Sequence, residues 1–315
     1  MDKKLLAICI PTYNRADVLD ESLGSLMSII DDRVKIIVID NNSTDNTFSI
    51  ASKYRENILY LCNETNIGGD LNILKCYKVA SEIADYICVL GDSYRISKSS
   101  LDSILSHILT FKYHLIINAQ RATGFHTKVY HNADDVLRDV GGAMDLTGTI
   151  IIKSEAVSDS YYLKYIHTHF IHFGMSFDYI ASVNNLNCLF LSEHPILFTT
   201  LNRNHNWYKN SIEIFAKEWV RTILLLDPIY TRNSREICMK AQDKFTKIFH
   251  LRNFLLLRLN KSISWEIIKR NKLYIKKTSS INYWLVLLIS SIPVVFLRLI
   301  LNPIQKFKNK FMNRK

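Results

Sequence analysis

The sequence predicts an α/β fold with a mostly parallel sheet flanked by helices, followed by a basic helical region. In the first hundred residues, short apolar runs alternate with stretches of helical periodicity, a pattern typical of βαβ units. Polar segments follow the apolar runs, as expected where parallel strands end at a common edge. The chain has 315 residues, 48% of them hydrophobic and 22% charged, which suffices for a sizeable core and excludes a disordered or fibrous class.

The apolar runs that we assign to strands cover residues 5–10, 34–39, 58–61 and 86–90, and later 115–118 and 149–152. Helical periodicity predicts helices near 16–30, 45–55 and 70–83. Ser43, Thr44 and Asp45 are suited to cap the second of these helices, because their side-chain oxygens can accept hydrogen bonds from its first amides.

The charge distribution divides the chain near residue 205. Residues 1–200 contain 17 Lys and Arg against 23 Asp and Glu, whereas residues 201–315 contain 23 against 6. We therefore expect one domain over 1–205, with halves 1–100 and 101–205, and a basic amphipathic helical region over 206–315. The six cysteines show no CxxC spacing, and the short N-terminal apolar run reads as a strand rather than a secretion signal. Both observations favour the cytoplasm.

Polar residues at the four predicted strand ends should meet at one edge of the sheet. An aspartate at the second strand end, Asp40, can accept the N–H groups of a nucleotide base, and Tyr13 can cover that base. Asp40 could equally stabilise a turn and helix start. Gly68 and Gly69 precede a predicted helix, where free amides favour phosphate or sugar oxygens.

The order of these motifs resembles glycosyltransferase family 2 enzymes of the Rossmann-like GT-A fold, especially bacterial enzymes of O-antigen and capsular polysaccharide synthesis, including abequosyltransferase-like members. The motifs are IPTYNR, VIDNNSTDNT, the asparagine and glycine pattern of 66–72, and LGD at 90–92. The resemblance implies binding of a nucleotide-sugar. The residues implicated in this binding are Pro11, Tyr13, Arg15, Asp40, Asn42, Asn66, Gly68, Asp70, Asn72 and Asp92.

Asp92 matches the first aspartate of the family's acidic motif, which implies that it holds Mg²⁺ or Mn²⁺ at the donor diphosphate. The family pattern usually continues with further aspartates, but here Ser93 and Tyr94 follow. Asp92 could hold the ion with phosphate oxygens completing its shell, or a guanidinium such as that of Arg95 could stabilise the diphosphate instead.

An inverting transfer also needs a general base for the acceptor hydroxyl. The stretch 161–179 offers His167, His169, His172 and Asp178, and the resemblance favours His172; Asp178 and Asp145 are the alternatives. Because His172 lies at helical spacing among phenylalanines, it could instead be a packed interior residue.

The basic region predicts contact with a membrane. Residues 245–277 mix apolar and cationic residues at helical spacing, which suits amphipathic helices on an anionic leaflet or packed against the first domain. The uncharged run 281–297 would be about 25 Å long as a helix, which is shorter than the hydrocarbon core of a bilayer. We expect an in-plane segment near 281–301. The dense apolar content argues against nucleic acid as the partner.

Together these features predict an inverting, hexosyl-type glycosyltransferase on the inner face of the cell membrane, peripheral or monotopic, that acts on a lipid-linked glycan. A catalytically degenerate protein that binds sugar nucleotides and scaffolds an assembly complex is the alternative.

Overall fold

A computed structural model describes residues 3–119, 126–193 and 209–299, together with the backbone of 197–198. These residues form two compact units. The first contains the described residues up to 198 and Arg221–Cys238; the second contains those from 209 to Val220 and from Met239 to 299. The predicted boundary at 205/206 and residues 300–301 of the apolar segment lie outside the described residues.

The first unit contains ten strands within the described residues. They are β1 (Lys4–Thr12), β2 (Val34–Asp40), β3 (Ile58–Cys62), β4 (Ala84–Val89), β5 (Tyr94–Arg95), β6 (Leu115–Asn118), β7 (Lys128–Tyr130), β8 (Ile150–Lys153), β9 (Cys188–Leu191) and β10 (Leu197–Phe198). Eight of them form one sheet in the order β3-β2-β1-β4-β8-β6-β9-β7, and β10 pairs with β5 in a separate two-stranded sheet. Strands β1 to β4 pair in parallel, while β8 joins β4 and β6 in antiparallel fashion and β7 pairs antiparallel with β9.

The described α-helices, apart from a last turn after Pro293, have the following bounds. They are α1 (Ala16–Met27), α2 (Thr47–Ser52), α3 (Gly69–Ile83), α4 (Lys98–Phe111), α5 (Ala133–Val140), α6 (Asp159–Tyr162), α7 (Ile171–Ser182), α8 (Trp219–Leu225), α9 (Arg232–Thr246), α10 (Leu251–Leu259), α11 (Trp265–Arg270), α12 (Lys272–Thr278) and α13 (Tyr283–Ser291). Shorter 3-10 turns occupy Gly141–Ala143, Ser154–Ala156 and Leu163–Tyr165, and a π-helical turn occupies Glu213–Glu218.

Helices cover both faces of the parallel strands because successive side chains of a strand point to opposite faces. Ile8 of β1 lies in one core cluster with leucines and isoleucines of α1 and α4. Its neighbour Cys9 contacts Cys76 of α3 on the other face. Burial on both faces explains why the central strands read as unbroken apolar runs rather than alternating patterns.

The predicted α/β fold is confirmed, and the parallel part of the sheet lies where the sequence indicated it. The second half of the sheet is mixed, so the fold is less uniformly parallel than expected. Helix α2 is shorter than predicted, and Asn46, which precedes it, makes no side-chain cap. Asp45 instead accepts hydrogen bonds from the amide of Thr47 at 3.1 Å and from that of Ala16, the first residue of α1, at 3.0 Å.

The second unit is helical, as the apolar periodicity of the basic region indicated. Where amphipathic helices were predicted over 245–277, the structure has the end of α9 followed by α10, α11 and α12. The uncharged run forms α13 and, after Pro293, a helical turn over 294–299. Within the part of the chain that the structure describes, no helix is both long enough and apolar enough to cross a membrane.

Candidate functional site

Buried polar side chains gather where the parallel strands end. Thr12, the last residue of β1, lies opposite Asp40, the last residue of β2, and its carbonyl accepts the amide of Asn41 at 2.9 Å. The hydroxyl of Thr12 donates to Asp92 Oδ2 at 3.2 Å, just beyond β4. Thr12 therefore connects the turn that begins at Asp40 with the carboxylate of Asp92.

Asp40 stabilises the turn that follows β2. Its Oδ1 accepts the amide and the hydroxyl of Ser43 at 2.9 and 2.6 Å, and its Oδ2 accepts the hydroxyl of Tyr60 at 2.6 Å. Burial, together with the contact to Asp40, raises the pKa of Tyr60. The turn presents Asn42, which is exposed with a left-handed φ of 66°, close in sequence to the buried carboxylate. Tyr13, directly after β1, is 44% exposed.

An asparagine network organises the segment between β3 and α3. Asn41 donates to Asn66 Oδ1 at 2.9 Å, and Asn63 donates to both Asn41 and Asn72, each at 2.9 Å. Asn72 in turn donates to the carbonyl of Ile39 at 3.2 Å and is 3% exposed. Because the side chain of Asn72 is buried and hydrogen-bonded within the protein, its role in the site is structural.

Gly68 and Asp70 shape the start of α3. Gly68 has φ 85° and ψ 161°, a conformation that is essentially restricted to glycine, and a Cβ there would meet no atom within 4 Å. The space beside the backbone of Gly68 is therefore open on the side where a Cβ would lie. Asp70 Oδ2 accepts the amide of His169 at 2.9 Å, so this carboxylate holds the loop before α7. His167 and His169 in that loop are exposed and have φ values of 69° and 65°.

Asp92 is 7% exposed, and both of its oxygens have protein partners. Arg15 Nη1 lies 3.2 Å from Oδ1, and the hydroxyl of Ser93 donates to the same oxygen at 3.1 Å. Burial raises the pKa of Asp92, and the charge of Arg15 opposes this shift. Arg95, the cation that the sequence suggested, pairs with Glu21 at 3.1 Å instead.

These contacts do not fit a divalent ion well. Mg²⁺ and Mn²⁺ need hard oxygen ligands, and Asp92 is a single carboxylate with a guanidinium already against it. Among the described residues, no group of three or more His, Cys, Asp or Glu is arranged to hold a metal ion.

His172 of α7 lies in the interior, 2% exposed. Its ring Nε2 lies 3.2 Å from the backbone carbonyl oxygen of Asp145. Asp145 is also buried, with 5% of its surface exposed. Burial lowers the pKa of His172 to about 4, against the opposing effect of the backbone carbonyls of Asp145 and Met144. This environment is typical of a packed interior histidine, the alternative that the sequence left open.

Asp178 lies two turns further along α7 and is likewise engaged. Lys164 Nζ is 2.6 Å from its Oδ2, and the amide of Asp227 donates to its Oδ1 at 3.2 Å. Burial raises its pKa, while Lys164 acts in the opposite direction. Asp178 thus joins the segment 221–238 to the rest of the first unit.

The sequence profile of "Glycosyl transferase family 2" matches residues 7–180, more than half of the chain. The chain belongs to this family. The match extends from β1 through α7, so it includes every strand end described above and the loop before α7.

Curated relatives match this family 2 chain over shorter stretches. The abequosyltransferase RfbV of Salmonella typhimurium is 32% identical over 126 residues, which is 38% of this chain and 37% of that protein. An uncharacterized glycosyltransferase of Rickettsia prowazekii is 36% identical over 72 residues, 23% of this chain and 22% of its own. Each of these two relatives is thus matched over less than two fifths of its length.

Solved structures confirm the GT-A glycosyltransferase fold. Staphylococcus aureus TarS 1-349 in complex with UDP-GlcNAc has a TM-score of 0.53 at 16% identity, over 85% of this chain and 81% of that one. The mannosyltransferase PcManGT of Pyrobaculum calidifontis, in complex with GDP-Man and Mn²⁺, has a TM-score of 0.53 at 14% identity, over 92% and 86%.

In this family 2 site, the sequence predicted no role of their own for Thr12, Asn41 and Asn63, and it assigned Arg15 to the donor without its partner. Thr12, Asn41 and Asn63 are buried and join the strand ends, and Arg15 pairs with Asp92. Thr12, Asn41 and Asn63 all come at or directly after an apolar run, which is a signal that could have identified them. The Arg15–Asp92 pair has no such signal, because the two residues are far apart in the sequence.

Proposed function

We propose that this family 2 glycosyltransferase moves a sugar, with inversion, from a nucleotide-diphosphate donor to a lipid-linked glycan in the synthesis of a surface polysaccharide. The observation that carries the proposal is the link through Thr12 between the turn at Asp40 and the carboxylate of Asp92. It joins a base-binding position to a diphosphate position at one edge of the sheet, where ligands of open α/β sheets bind.

In this proposal, the nucleotide lies along the ends of β1 and β2. Tyr13 covers the base, and Asn42, presented by the turn that Asp40 stabilises, reads its edge. The donor sugar lies by the start of α3 at Gly68, where free backbone amides can donate to sugar oxygens.

We assign the general base to His169 rather than to His172. A base must reach the acceptor hydroxyl, and its pKa should lie near the working pH. His172 is buried with a pKa of about 4, whereas His169 is exposed and its backbone is held by Asp70 at the start of α3. In the transfer, the acceptor oxygen bonds to the anomeric carbon and the bond from that carbon to the diphosphate breaks. The hydroxyl proton passes to His169.

The similarity to an abequosyltransferase supports surface polysaccharide as the product, and features of the second unit support a membrane-bound acceptor. The described residues of that unit contain 14 Lys and Arg against 4 Asp and Glu. Helix α13 exposes Trp284, Leu285 and Leu288, and the turn after it exposes Val295, Phe296 and Leu299. We call these six residues the apolar face. Exposed apolar residues beside many cations are typical of in-plane attachment to an anionic leaflet.

The chemistry is tested with purified protein, a membrane extract and a panel of UDP, GDP, CDP and dTDP sugars. We expect nucleotide release with one donor only, and its loss in Asp92→Ala. The variant Asp31→Ala is the control, because Asp31 pairs with Arg33 on the surface, away from the strand ends that bind the donor.

The scaffold alternative rests on one observation, namely that both oxygens of Asp92 are engaged by the protein. Nucleotide binding without turnover of any donor would favour it. Release of nucleotide together with a glycosylated lipid product would exclude it.

A further inference from the structure

Asp92 and Arg15 form a charge centre whose net charge is zero before any ligand arrives. The guanidinium lies 3.2 Å from Oδ1, the hydroxyl of Ser93 donates to the same oxygen, and the hydroxyl of Thr12 donates to Oδ2. A divalent ion on Asp92 would have to displace Arg15 or lie beside its positive charge. Ser93 and Tyr94 follow Asp92, so the neighbouring positions supply no second carboxylate to offset that repulsion.

Arg15 is well placed to meet a diphosphate itself. It comes directly before α1, at the end of β1 that carries Thr12 and Tyr13, and its side chain is 27% exposed. An arginine remains charged at all working pH values and offers five donors, so one pairing with Asp92 leaves donors that can turn toward phosphate oxygens. Asp92 then has a structural task, since it fixes the guanidinium at the edge of the sheet.

We propose that the Arg15–Asp92 pair replaces the divalent ion, so that this protein binds its donor diphosphate and releases it without a metal. The proposal rests on the proposed function, because it assumes a nucleotide-diphosphate donor. During transfer, the electron pair of the broken bond stays on the diphosphate oxygen, and Arg15 stabilises the negative charge that develops there. Asp92 positions Arg15 and does not bind an ion.

The test is calorimetric titration of the full chain with UDP, GDP, CDP and dTDP, once after treatment with EDTA and once with Mn²⁺. We expect one nucleoside diphosphate to bind with EDTA about as tightly as with Mn²⁺, within roughly twofold. Arg15→Gln should weaken that binding about tenfold or more, since charge-assisted hydrogen bonds to phosphate are lost. Arg15→Lys should bind more tightly than Arg15→Gln, because lysine keeps the charge but cannot donate the paired hydrogen bonds of a guanidinium.

Arg95→Gln is the matched control, since it removes a nearby guanidinium that pairs with Glu21. It should bind like the wild type, and circular dichroism of every variant checks the fold. Binding that requires Mn²⁺ and is lost in Asp92→Asn would overturn this inference while leaving the proposed function intact. Absence of binding by every nucleotide under both conditions would overturn the proposed function and this inference with it.

Discussion

The carboxylate of Asp70 accepts the backbone amide of His169 at 2.9 Å, although the two residues are 99 positions apart. The bond connects the start of α3, directly after Gly68, to the loop before α7. Left-handed backbone at His167 and His169 is uncommon outside glycine and is maintained only where surrounding contacts enforce it. Asp70, which the sequence predicted to bind the donor, thus orients a loop that carries two exposed histidines.

Replacing His169 by alanine should lower kcat by about 100-fold to 10,000-fold, the usual effect of losing a general base. The affinity for the nucleoside diphosphate should not change. Initial rates of nucleotide release provide the measurement.

Two other histidines serve as comparisons for this experiment. His172→Gln should keep kcat within roughly tenfold, because a buried side chain that contacts no substrate affects turnover only through the structure. His250→Ala, an exposed change in the second unit, should behave like the wild type. A large loss of kcat in His172→Gln together with an unchanged kcat in His169→Ala would return the role to His172.

Asp70→Ala should reduce kcat while leaving the Kd for the nucleoside diphosphate unchanged, because Asp70 positions the histidine loop. Asp70→Asn should recover much of the loss, since its amide oxygen can still accept the amide of His169. Calorimetry and initial rates separate the two effects. An increase in Kd in both variants, with kcat preserved, would assign Asp70 to the donor instead, as the sequence predicted.

The burial of His172 should make the folded state sensitive to acid. Its folded pKa of about 4 lies below the usual 6.5, so the stability that comes from burying the neutral ring is present above pH 6.5 and is lost as the pH falls toward 4. From pH 7 to pH 5 this contribution should fall by about 2 kcal/mol. Urea unfolding at both values should show a smaller loss in His172→Gln than in the wild type. Equal losses would show that His172 is not buried as a neutral ring.

Two adjacent glycines at the start of α3 should respond differently to alanine. Gly68 has φ 85° and ψ 161°, so Gly68→Ala should lower the free energy of unfolding by about 1–3 kcal/mol. Gly69 begins the helix, and a Cβ there meets no atom within 4 Å, so Gly69→Ala should be neutral or stabilising by up to about 1 kcal/mol. Thermal unfolding distinguishes the two. Equal effects would contradict the assignment of backbone conformation.

The apolar face should carry attachment to anionic membranes. Trp284→Ser and Leu288→Ser, at positions 65% and 63% exposed, should each lower partitioning onto phosphatidylglycerol vesicles by roughly tenfold. Leu109→Ser in α4, at a position 54% exposed, is the matched control and should leave it unchanged. Co-sedimentation provides the measurement. Equal sedimentation of all three variants would remove the face from any role in binding.

The strands and helices of the first unit were largely predictable, because burial on both faces produces long apolar runs and amphipathic helices have a clear period. Strands β2 and β6 begin and end within one residue of the prediction. The antiparallel pairing of β8 was not predictable, since a short apolar strand such as Ile150–Lys153 has the same pattern in either direction.

The sequence by itself determined the family, the α/β architecture and the segments that form the site, because all three depend on local composition and motif order. Only the tertiary structure decided which partner each charged or titratable group has. It paired Arg15 rather than Arg95 with Asp92, buried His172 against the carbonyl of Asp145, and connected Asp70 to His169. These contacts join residues that are distant in the chain, and the position of a side chain along a sequence does not specify its neighbours in space.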